Sequence, residues 1–286
     1  MHEPVLLNEV LDALSPQKGE VYLDATAGYG GHSGAILART QNYHDSVLVD
    51  RDQMAIDHLQ HLFASKGVRI IQNDFHSAAE LLVSEGKQFD IILADLGVSS
   101  PHLDKASRGF SFQNSGPLDM RMDQRQALTA ETIVNTWPAE RLEQILRTYG
   151  EEPHARKITE SIVANRPFKT TEELANIIAR ASGKWQKKHP ATRTFQALRI
   201  AVNNELGLLE STLPLWIQLL KPGGRLGIIS FHSLEDRIVK NYFAEHGGNR
   251  YDAIFSVPYK NPIVASEQEL VSNPRSRSAK LRVAAK

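Results

Sequence analysis

Short apolar runs alternate with amphipathic stretches along residues 21–100. Runs of this kind are typical of strands that helices cover on both faces, because every side chain of such a strand is buried. The predicted strands are VYLD at 21–24, SVLVD at 46–50, VRIIQ at 68–72 and FDIILADL at 89–96. Residues 33–40 and 53–67 have helical spacing, and Gly67 is placed to end the second helix. The pattern predicts an α/β fold with a doubly wound parallel sheet, whose functional site lies at the carboxyl ends of the strands.

A long helical region separates the fourth predicted strand from the next one. The fifth strand, at 225–231, follows a turn at 221–224, and more than a hundred residues precede it where a crossover needs about thirty. Helical spacing recurs in between at 127–137, 139–150, 155–166, 170–182 and 194–213. We therefore expect an inserted all-helical subdomain over 106–211, within a domain formed by 1–105 and 212–286. Beyond the fifth strand, the pattern predicts a helix at 234–247 and strands at 251–257 and 279–285.

The composition excludes several kinds of site. The chain of 286 residues contains no cysteine, which excludes disulfides, Cys-ligated zinc, iron–sulfur clusters and thiolate nucleophiles. We expect no metal. No apolar run reaches the roughly 18 residues of a membrane span. Glu3 and Glu9 stand where a signal peptide carries positive charge, so we expect a soluble, cytoplasmic protein with no membrane partner.

Charge is balanced overall but uneven along the chain. The 33 basic and 33 acidic residues give a formal net charge of +0, so the protein has no global field for nucleic acid. Residues 174–204 and 270–286 nevertheless contain basic side chains and no acid. Such stretches are either solvated faces or a local site for a polyanion.

A glycine-containing loop connects the first predicted strand to a helix. It runs from Asp24 through Gly28, Gly30 and Gly31 to His32. Glycines allow a ligand to approach the backbone, and the helix start offers free N–H groups. Ser33 stands where a dinucleotide fingerprint has its third glycine, and Asp24 would crowd a pyrophosphate. The loop therefore favours S-adenosylmethionine, which is cationic and has no phosphate, over NAD; the alternative is a tight turn without a ligand.

Further polar residues follow the next strands. Asp50, at the end of the second strand, is placed to accept both ribose hydroxyls of an adenosine cofactor, as either NAD or S-adenosylmethionine requires. Asp52 is better explained as the N-cap of the following helix. Phe75, just past the third strand, could pack on an adenine or belong to the core, and the sequence leaves both interpretations open.

Two residues are candidates for catalysis. Asp95 lies where the fourth predicted strand passes into a loop, at the position where enzymes that methylate amino groups commonly place an acid or Asn that accepts a hydrogen bond from the target N–H. The alternative is an aspartate that only orients the loop. His232 follows the fifth strand, at the rim where a substrate base would lie, and a buried, hydrogen-bonded histidine is an equal alternative.

Several longer blocks, taken in order, resemble the bacterial small-subunit ribosomal RNA methyltransferase H family, also called MraW. The blocks are His2-x-Pro-Val-Leu-Leu, Gly30-Gly31-His32, Asp95-Leu-Gly-Val-Ser-Ser, Arg108-Gly-Phe-Ser-Phe, Gly116-Pro-Leu-Asp-Met-Arg-Met-Asp, His189-Pro-Ala-Thr-Arg-Thr-Phe-Gln, Ser230-Phe-His-Ser-Leu-Glu-Asp-Arg and Asn273-Pro-Arg-Ser-Arg-Ser. The resemblance runs from residue 2 to the C-terminus.

The resemblance implies N4-methylation of one cytidine in the decoding region of 16S ribosomal RNA. It also implies a class I S-adenosylmethionine methyltransferase domain with a helical substrate-recognition insert, the small ribosomal subunit as partner, and a homodimer. The cofactor positions that carry over are Gly30, Gly31, His32, Asp50, Phe75, Asp95 and His102. The family usually has Gln at the position of His102.

If the protein acts on ribosomal RNA, the two basic stretches are expected to bind the RNA. Arg193 opens a predicted helix, and Arg275 and Arg277 lie near the C-terminus, where we expect them to contact RNA phosphates. Methylation at C5 of a pyrimidine normally needs a cysteine adduct, which this chain cannot form, whereas transfer to an exocyclic amine needs no covalent nucleophile. An amino-methyltransferase acting on adenine or DNA, and a non-catalytic ribosome-assembly factor, remain the rival functions.

Overall fold

The structure, a computed structural model, describes residues 4–182, 189–248 and 251–286. Contacts divide the chain into two units, Met1–Gly97 with Leu206–Lys286, and Val98–Glu205. The boundaries expected from the sequence lie a few residues later. The difference at the second boundary arises because a helix from Glu205 to Leu219 contributes Leu209 to the core of the first unit. His2 and part of the first basic stretch, residues 184–188, lie outside the described residues.

A six-stranded sheet organises the first unit. Its strands are β1 (Tyr22–Asp24), β2 (Val47–Asp50), β3 (Arg69–Gln72), β4 (Phe89–Asp95), β5 (Leu220–Ser230) and β6 (Lys280–Ala285). The spatial order is β3-β2-β1-β4-β5-β6, with parallel pairing except between β5 and β6. The order reverses between β1 and β4, which makes this the switch point where ligands of such sheets bind. The predicted doubly wound, mostly parallel α/β fold is confirmed.

Helices and short 3₁₀ turns make up most of the remaining regular structure. The helices are α1 (Leu7–Leu14), α2 (Gly31–Thr40), α3 (Gln53–Phe63), α4 (Phe75–Ser84), α5 (Ser100–Asp104), α6 (Ala130–Thr136), α7 (Ala139–Thr148), α8 (Ala155–Ala164), α9 (Thr171–Ser182), α10 (Ala191–Asn203), α11 (Glu205–Leu219), α12 (Ser233–His246) and α13 (Glu267–Ser272). Gly67 has a φ of 80° and follows the 3₁₀ turn that extends α3, as predicted. None of the helices in the described ranges is long and apolar enough to span a membrane.

Two apolar clusters cover the two faces of the sheet. Along β2, Val47 and Val49 belong to one cluster and Leu48 to the other, because successive side chains of a strand point to opposite faces. All three are almost fully buried. The continuous apolar runs in the sequence therefore reflect burial on both faces.

The second unit has its own apolar core, formed by α6 to α10 and the loops before them. Helical periodicity brings Leu142 and Leu146 of α7, Ile158 of α8, Ile178 of α9 and Leu198 of α10 into one buried cluster. The regular elements of this unit are helices, in agreement with the helical spacing of its sequence.

Two predicted elements are wrong. The predicted strand at 251–257 forms only isolated bridges, because Ser256 pairs with Ala285 while Ile263 pairs with Leu281, so that two short segments share the outer edge of β6. The single helix predicted over 194–213 is two helices, since Asn204 has a φ of 48°. A right-handed helix does not continue through a left-handed residue.

Candidate active site

Three carboxylates lie at one edge of the sheet. Asp24, Asp50 and Asp95 are the last residues of β1, β2 and β4, and β1 lies between the other two strands. Because parallel strands end at the same edge, the topology brings together side chains that are separated by up to seventy positions in sequence. This edge is the one at which the sequence pattern predicted the functional site.

Asp24 lies in a buried network below the glycine loop. Its Oδ2 accepts hydrogen bonds from the Tyr22 hydroxyl at 2.8 Å and the Ser33 hydroxyl at 2.6 Å. Its Oδ1 accepts from the Thr26 N–H at 3.2 Å. Burial raises the pKa of Asp24 from 3.8 to about 6, against the opposing effect of these hydrogen bonds. Burial therefore destabilises the ionised form of Asp24, and a cationic ligand nearby would stabilise that form.

Asp50 connects the glycine loop to the start of α3. Its Oδ2 accepts a hydrogen bond from the Gly28 N–H at 2.8 Å, and its Oδ1 accepts one from the Asp52 N–H at 2.8 Å. Asp52 is the N-cap of α3, as predicted, and accepts from the Met54 N–H. The position and the half-buried carboxylate suit a contact with ribose hydroxyls, which stays a prediction.

The glycines of the loop differ in what surrounds them. A Cβ on Gly30 would lie 2.8 Å from the Phe63 ring, and one on Gly31 would lie 2.5 Å from Pro4 Cγ. Packing within the protein therefore accounts for these two glycines, and their predicted cofactor contacts stay predictions. A Cβ on Gly28 would meet nothing closer than the Thr26 carbonyl at 3.9 Å, and its φ is 51°. Gly28 was not among the predicted site residues, although it is the glycine of this loop with open space beside it.

Asp95 has an oxygen for which the described residues provide no donor. Its backbone N–H donates to Thr26 Oγ1 at 2.6 Å, which fixes the end of β4 against the glycine loop. The side-chain Oδ1 is buried and has no hydrogen-bond partner within the described residues. Burial, followed by the charges of Asp24 and Glu235, raises the pKa of Asp95 well above its ordinary value. An unpaired buried acceptor is costly, and a ligand N–H would satisfy it.

His32 lies beside Asp95 and is held in one tautomer. Its Nε2 is 2.9 Å from the Val5 carbonyl oxygen, which only accepts, so Nε2 carries the proton. Nδ1 therefore presents its lone pair to Asp95 Oδ2, 3.7 Å away. Burial lowers the pKa of His32 to about 4, so the ring is neutral at pH 7. The structure brings together the predicted residues His32 and Asp95, and it adds Val5, which the sequence did not indicate.

Phe75 and His232 have clear structural roles. Phe75 begins α4, is buried, and packs in the core with its ring centroid 5.4 Å from that of Trp216. His232 is the N-cap of α12, and its Nδ1 accepts from the Glu235 N–H at 3.3 Å. Glu235 Oε2 in turn accepts from the Phe231 and His232 N–H groups. An adenine contact for Phe75 and a catalytic role for His232 stay predictions.

The predicted residues of the second unit are described within that unit. His102 is buried, and its Nδ1 lies 3.2 Å from the Ser99 N–H in the capping box of α5, with its ring 4.8 Å from Phe110. Arg193 is exposed near the start of α10. The predicted cofactor contact of His102 and the predicted RNA contact of Arg193 stay predictions.

The predicted basic residues of the C-terminal stretch lie in the first unit. Arg275 is half-buried and Arg277 is exposed, and both belong to the 3₁₀ turn Pro274–Ser278 before β6. Arg277, together with His232, lines a cavity beside the end of β5. The sequence predicted a phosphate contact for both arginines. It did not indicate that Arg277 and His232 would line the same cavity.

Comparison with known proteins identifies the family. The family model described as the MraW methylase family matches residues 1–286. The ribosomal RNA small subunit methyltransferase H of Heliobacterium modesticaldum is 44% identical, and the alignment covers 100% of this chain and 98% of the relative. The proteins of the same name from Synechocystis sp. and Trichodesmium erythraeum are 48% and 46% identical over 100% of this chain and 93% and 99% of their own length. The chain belongs to the MraW methylase family.

Proposed function

We propose that the chain transfers the methyl group of S-adenosylmethionine to N4 of one cytidine in the decoding region of 16S ribosomal RNA, with the small ribosomal subunit in the cytoplasm as its partner. Membership of a methylase family supports methyl transfer, and the names of the relatives support ribosomal RNA of the small subunit as the substrate. The observation that carries the site chemistry is the buried Asp95 Oδ1, to which no group in the described part of the chain donates. The choice of cytidine N4 rests on the resemblance of the sequence blocks.

The residues at the edge of the sheet fit S-adenosylmethionine. When bound, this cofactor supplies an electrophilic methyl group on a sulfonium, and it is cationic at its amino group as well. Asp24, Asp50 and Asp95 form an acidic edge that suits such a ligand, and the space beside Gly28 lets it approach the backbone. Asp50 would accept from the ribose hydroxyls. His32, neutral and fixed by Val5, does not add a competing positive charge.

Asp95 has the properties that methylation of an amino group requires. The lone pair of a cytidine amino group is delocalised into the ring, so the nitrogen is a poor nucleophile. A hydrogen bond from its N–H to Asp95 Oδ1 would draw electron density onto the nitrogen and orient it toward the methyl group. Burial strengthens this bond, because the surrounding dielectric is low. The reaction needs no cysteine, and the chain has none.

We assign the second unit to recognition of the RNA. It contains the exposed Arg193 and the half-exposed loops around α5, while Arg275 and Arg277 would contact RNA from the first unit. A target cytidine inside folded RNA has to leave its stack to reach the sheet edge. A homodimer, which the family resemblance implies, would be tested by sedimentation.

The experiment offers labelled S-adenosylmethionine to small ribosomal subunits that lack the modification and identifies the labelled nucleosides by mass spectrometry. We expect label in N4-methylcytidine at one position of the decoding region. Asp95→Asn should lower kcat by about 10²-fold, because a neutral amide oxygen accepts a hydrogen bond more weakly than a carboxylate oxygen. Asp45→Asn, an exposed aspartate of the same unit, is the matched control and should retain full activity.

Each other outcome separates the rival functions. Label in another nucleoside would contradict the cytidine assignment and support an amino-methyltransferase of different specificity. Bound cofactor with no label on any form of the subunit would support a non-catalytic assembly factor. Full activity of Asp95→Asn would remove Asp95 from the mechanism.

A further inference from the structure

Two of the sequence blocks that the proposed chemistry leaves unused meet at the end of the sheet. The antiparallel pairing of β5 with β6 places Ser230 opposite Lys280. The chain after β5, with His232 and Ser233, therefore lies beside the chain before β6, with Arg277 and Ser278. The sequence separates these pairs by more than forty residues, and the topology brings them together.

The two segments line a cavity of about 280 Å³, which Val264 also borders. This volume is slightly below the roughly 300–1,000 Å³ of sites for small-molecule ligands. The described residues that line the cavity include basic side chains and hydroxyl groups but no acid. A cavity of this size and composition suits a small anionic group rather than a whole cofactor.

The basic side chains beside the cavity differ in whether an acid neutralises them. Lys280 Nζ lies 2.9 Å from Asp236 Oδ2, and Arg282 Nε lies 2.7 Å from Asp236 Oδ1. Glu235 is buried and accepts hydrogen bonds from the Phe231 and His232 N–H groups. Arg277 is exposed and forms no ion pair within the described residues. Its charge is therefore available to a ligand.

Helix α12 begins at the wall of the cavity. The helix has 14 residues and begins at Ser233, so the positive end of its dipole lies at the cavity wall. The side chain of His232 is nine-tenths buried in that wall. Its Nδ1 accepts a hydrogen bond from the Glu235 N–H, so its Nε2 carries a proton. That Nε2 lies 3.1 Å from Glu235 Oε1, within ion-pair distance, so Arg277 and Ser278 rather than His232 are left to bind an anion in the cavity.

We propose that this cavity binds one phosphodiester of the RNA strand that carries the target nucleotide, with Arg277 and Ser278 contacting its oxygens. The inference rests on the proposed function and adds to it the location of one RNA phosphate. Asp95 of β4 pairs with Ile229 of β5, and paired strands lie about 4.8 Å apart. The cavity begins two residues beyond Ile229, at Phe231, so the bound phosphate lies close to the methylation site.

The first test measures binding of a short single-stranded, cytidine-containing RNA to the full chain at several salt concentrations. Arg277→Gln should weaken binding about tenfold, and it should reduce the slope of log K against log salt by about 0.7, the value for one phosphate contact on a single strand. Arg39→Gln removes an exposed arginine from the end of α2 in the same unit and should leave both quantities unchanged. Equal effects of the two substitutions, or no binding by the wild-type chain, would overturn the inference.

The second test locates the phosphate. Short RNAs in which one linkage at a time is an uncharged methylphosphonate are bound to the wild type and to Arg277→Gln. A single linkage should weaken binding to the wild type and leave binding to Arg277→Gln unchanged, since the two changes remove the same contact. Additive effects at every linkage would refute the contact.

Failure of this inference can be told from failure of the proposed function. Methylation of small subunits by the wild type, combined with normal RNA binding by Arg277→Gln, would refute only the phosphate site. Loss of RNA affinity in Arg277→Gln, without methylation of cytidine by the wild type, would support the phosphate site and contradict the proposed reaction.

Discussion

Replacing Asp24 by asparagine tests whether the ionised Asp24 carboxylate destabilises the folded protein when no cationic ligand is bound beside it. The carboxylate lies in a fully buried network with Tyr22 and Ser33, and no cationic side chain contributes to its environment. Asparagine is nearly isosteric, and both hydroxyl groups can rotate to accept or donate. The substitution therefore removes the titrating charge while it preserves most of the packing.

The magnitude follows from the pKa. Burial raises the pKa of Asp24 from 3.8 to about 6, and one pKa unit corresponds to about 1.36 kcal/mol. Because the folded state holds the proton more tightly than the unfolded state, this group's contribution to stability is fully present below pH 3.8. It is lost as the pH rises through about 6. At pH 7 the ionised carboxylate has cost the folded protein about 3 kcal/mol.

The assay is urea unfolding of the protein without cofactor, followed by tryptophan fluorescence between pH 4 and pH 7.5. The free energy of unfolding of Asp24→Asn should exceed that of the wild type by about 2–3 kcal/mol at pH 7, and the difference should shrink toward zero near pH 4. The exposed Asp45→Asn should change stability by less than about 0.5 kcal/mol at every pH. The same Asp24→Asn protein should bind S-adenosylmethionine more weakly, which isothermal titration calorimetry would measure.

A difference that does not change with pH, or a variant less stable than the wild type at pH 7, would refute the argument. The first result would show that Asp24 ionises with an ordinary pKa in the folded state. The second would show that the hydrogen bonds to the carboxylate outweigh its desolvation.

Two further predictions concern the backbone. Gly31→Ala should destabilise the protein by about 1–3 kcal/mol in urea unfolding, because its Cβ would meet Pro4 Cγ at 2.5 Å, and it should increase hydrogen exchange at the N-terminus. Gly34 lies in the same helix, and a Cβ added there has no atom within 4 Å, so Gly34→Ala should stabilise the protein by about 0.5–1 kcal/mol. If both substitutions changed the free energy of unfolding in the same direction, this account would be contradicted. Asn204→Ala should cost about 1 kcal/mol because of its left-handed φ of 48°, whereas Asn204→Gly should be nearly neutral. Equal melting temperatures for these two variants would show that the break between α10 and α11 has another origin.

The parts of the fold that the sequence predicted depend on local pattern. The runs that became β1, β2 and β4 are almost continuously apolar because helices cover both faces of these strands, so their burial was visible in the sequence itself. Asp52 caps the start of α3, and Gly67 ends the 3₁₀ turn that follows α3. Both form hydrogen bonds with residues close to them in sequence, which is why the sequence could predict their roles. The end of α10 was missed because asparagine adopts a left-handed conformation only occasionally, and nothing nearby marked Asn204 as such a case.

The parts that could not be predicted depend on contacts between distant segments. Phe75 packs against Trp216, and Gly31 lies against Pro4, so two residues whose types suggested a ligand also have neighbours within the protein that the sequence did not indicate. Their predicted cofactor contacts stay predictions. The segment at 251–257 has a strand-like composition, but its pairing depends on how much of the edge of β6 is left open. The pattern of apolar residues within one segment does not show which of two segments will pair with a given part of β6.

The sequence by itself determined the class of fold, the edge of the sheet that carries the site, and the residue types available for methyl transfer, since each of these follows from neighbouring residues. Only the tertiary structure decided which groups lack partners. Asp95 Oδ1 has no donor among the residues that the structure describes, and Asp24 is desolvated, because helices and strands from distant parts of the chain close around them. Burial and hydrogen-bond satisfaction are properties of the whole packed structure, and they set the pKa values and free acceptors on which the chemistry depends.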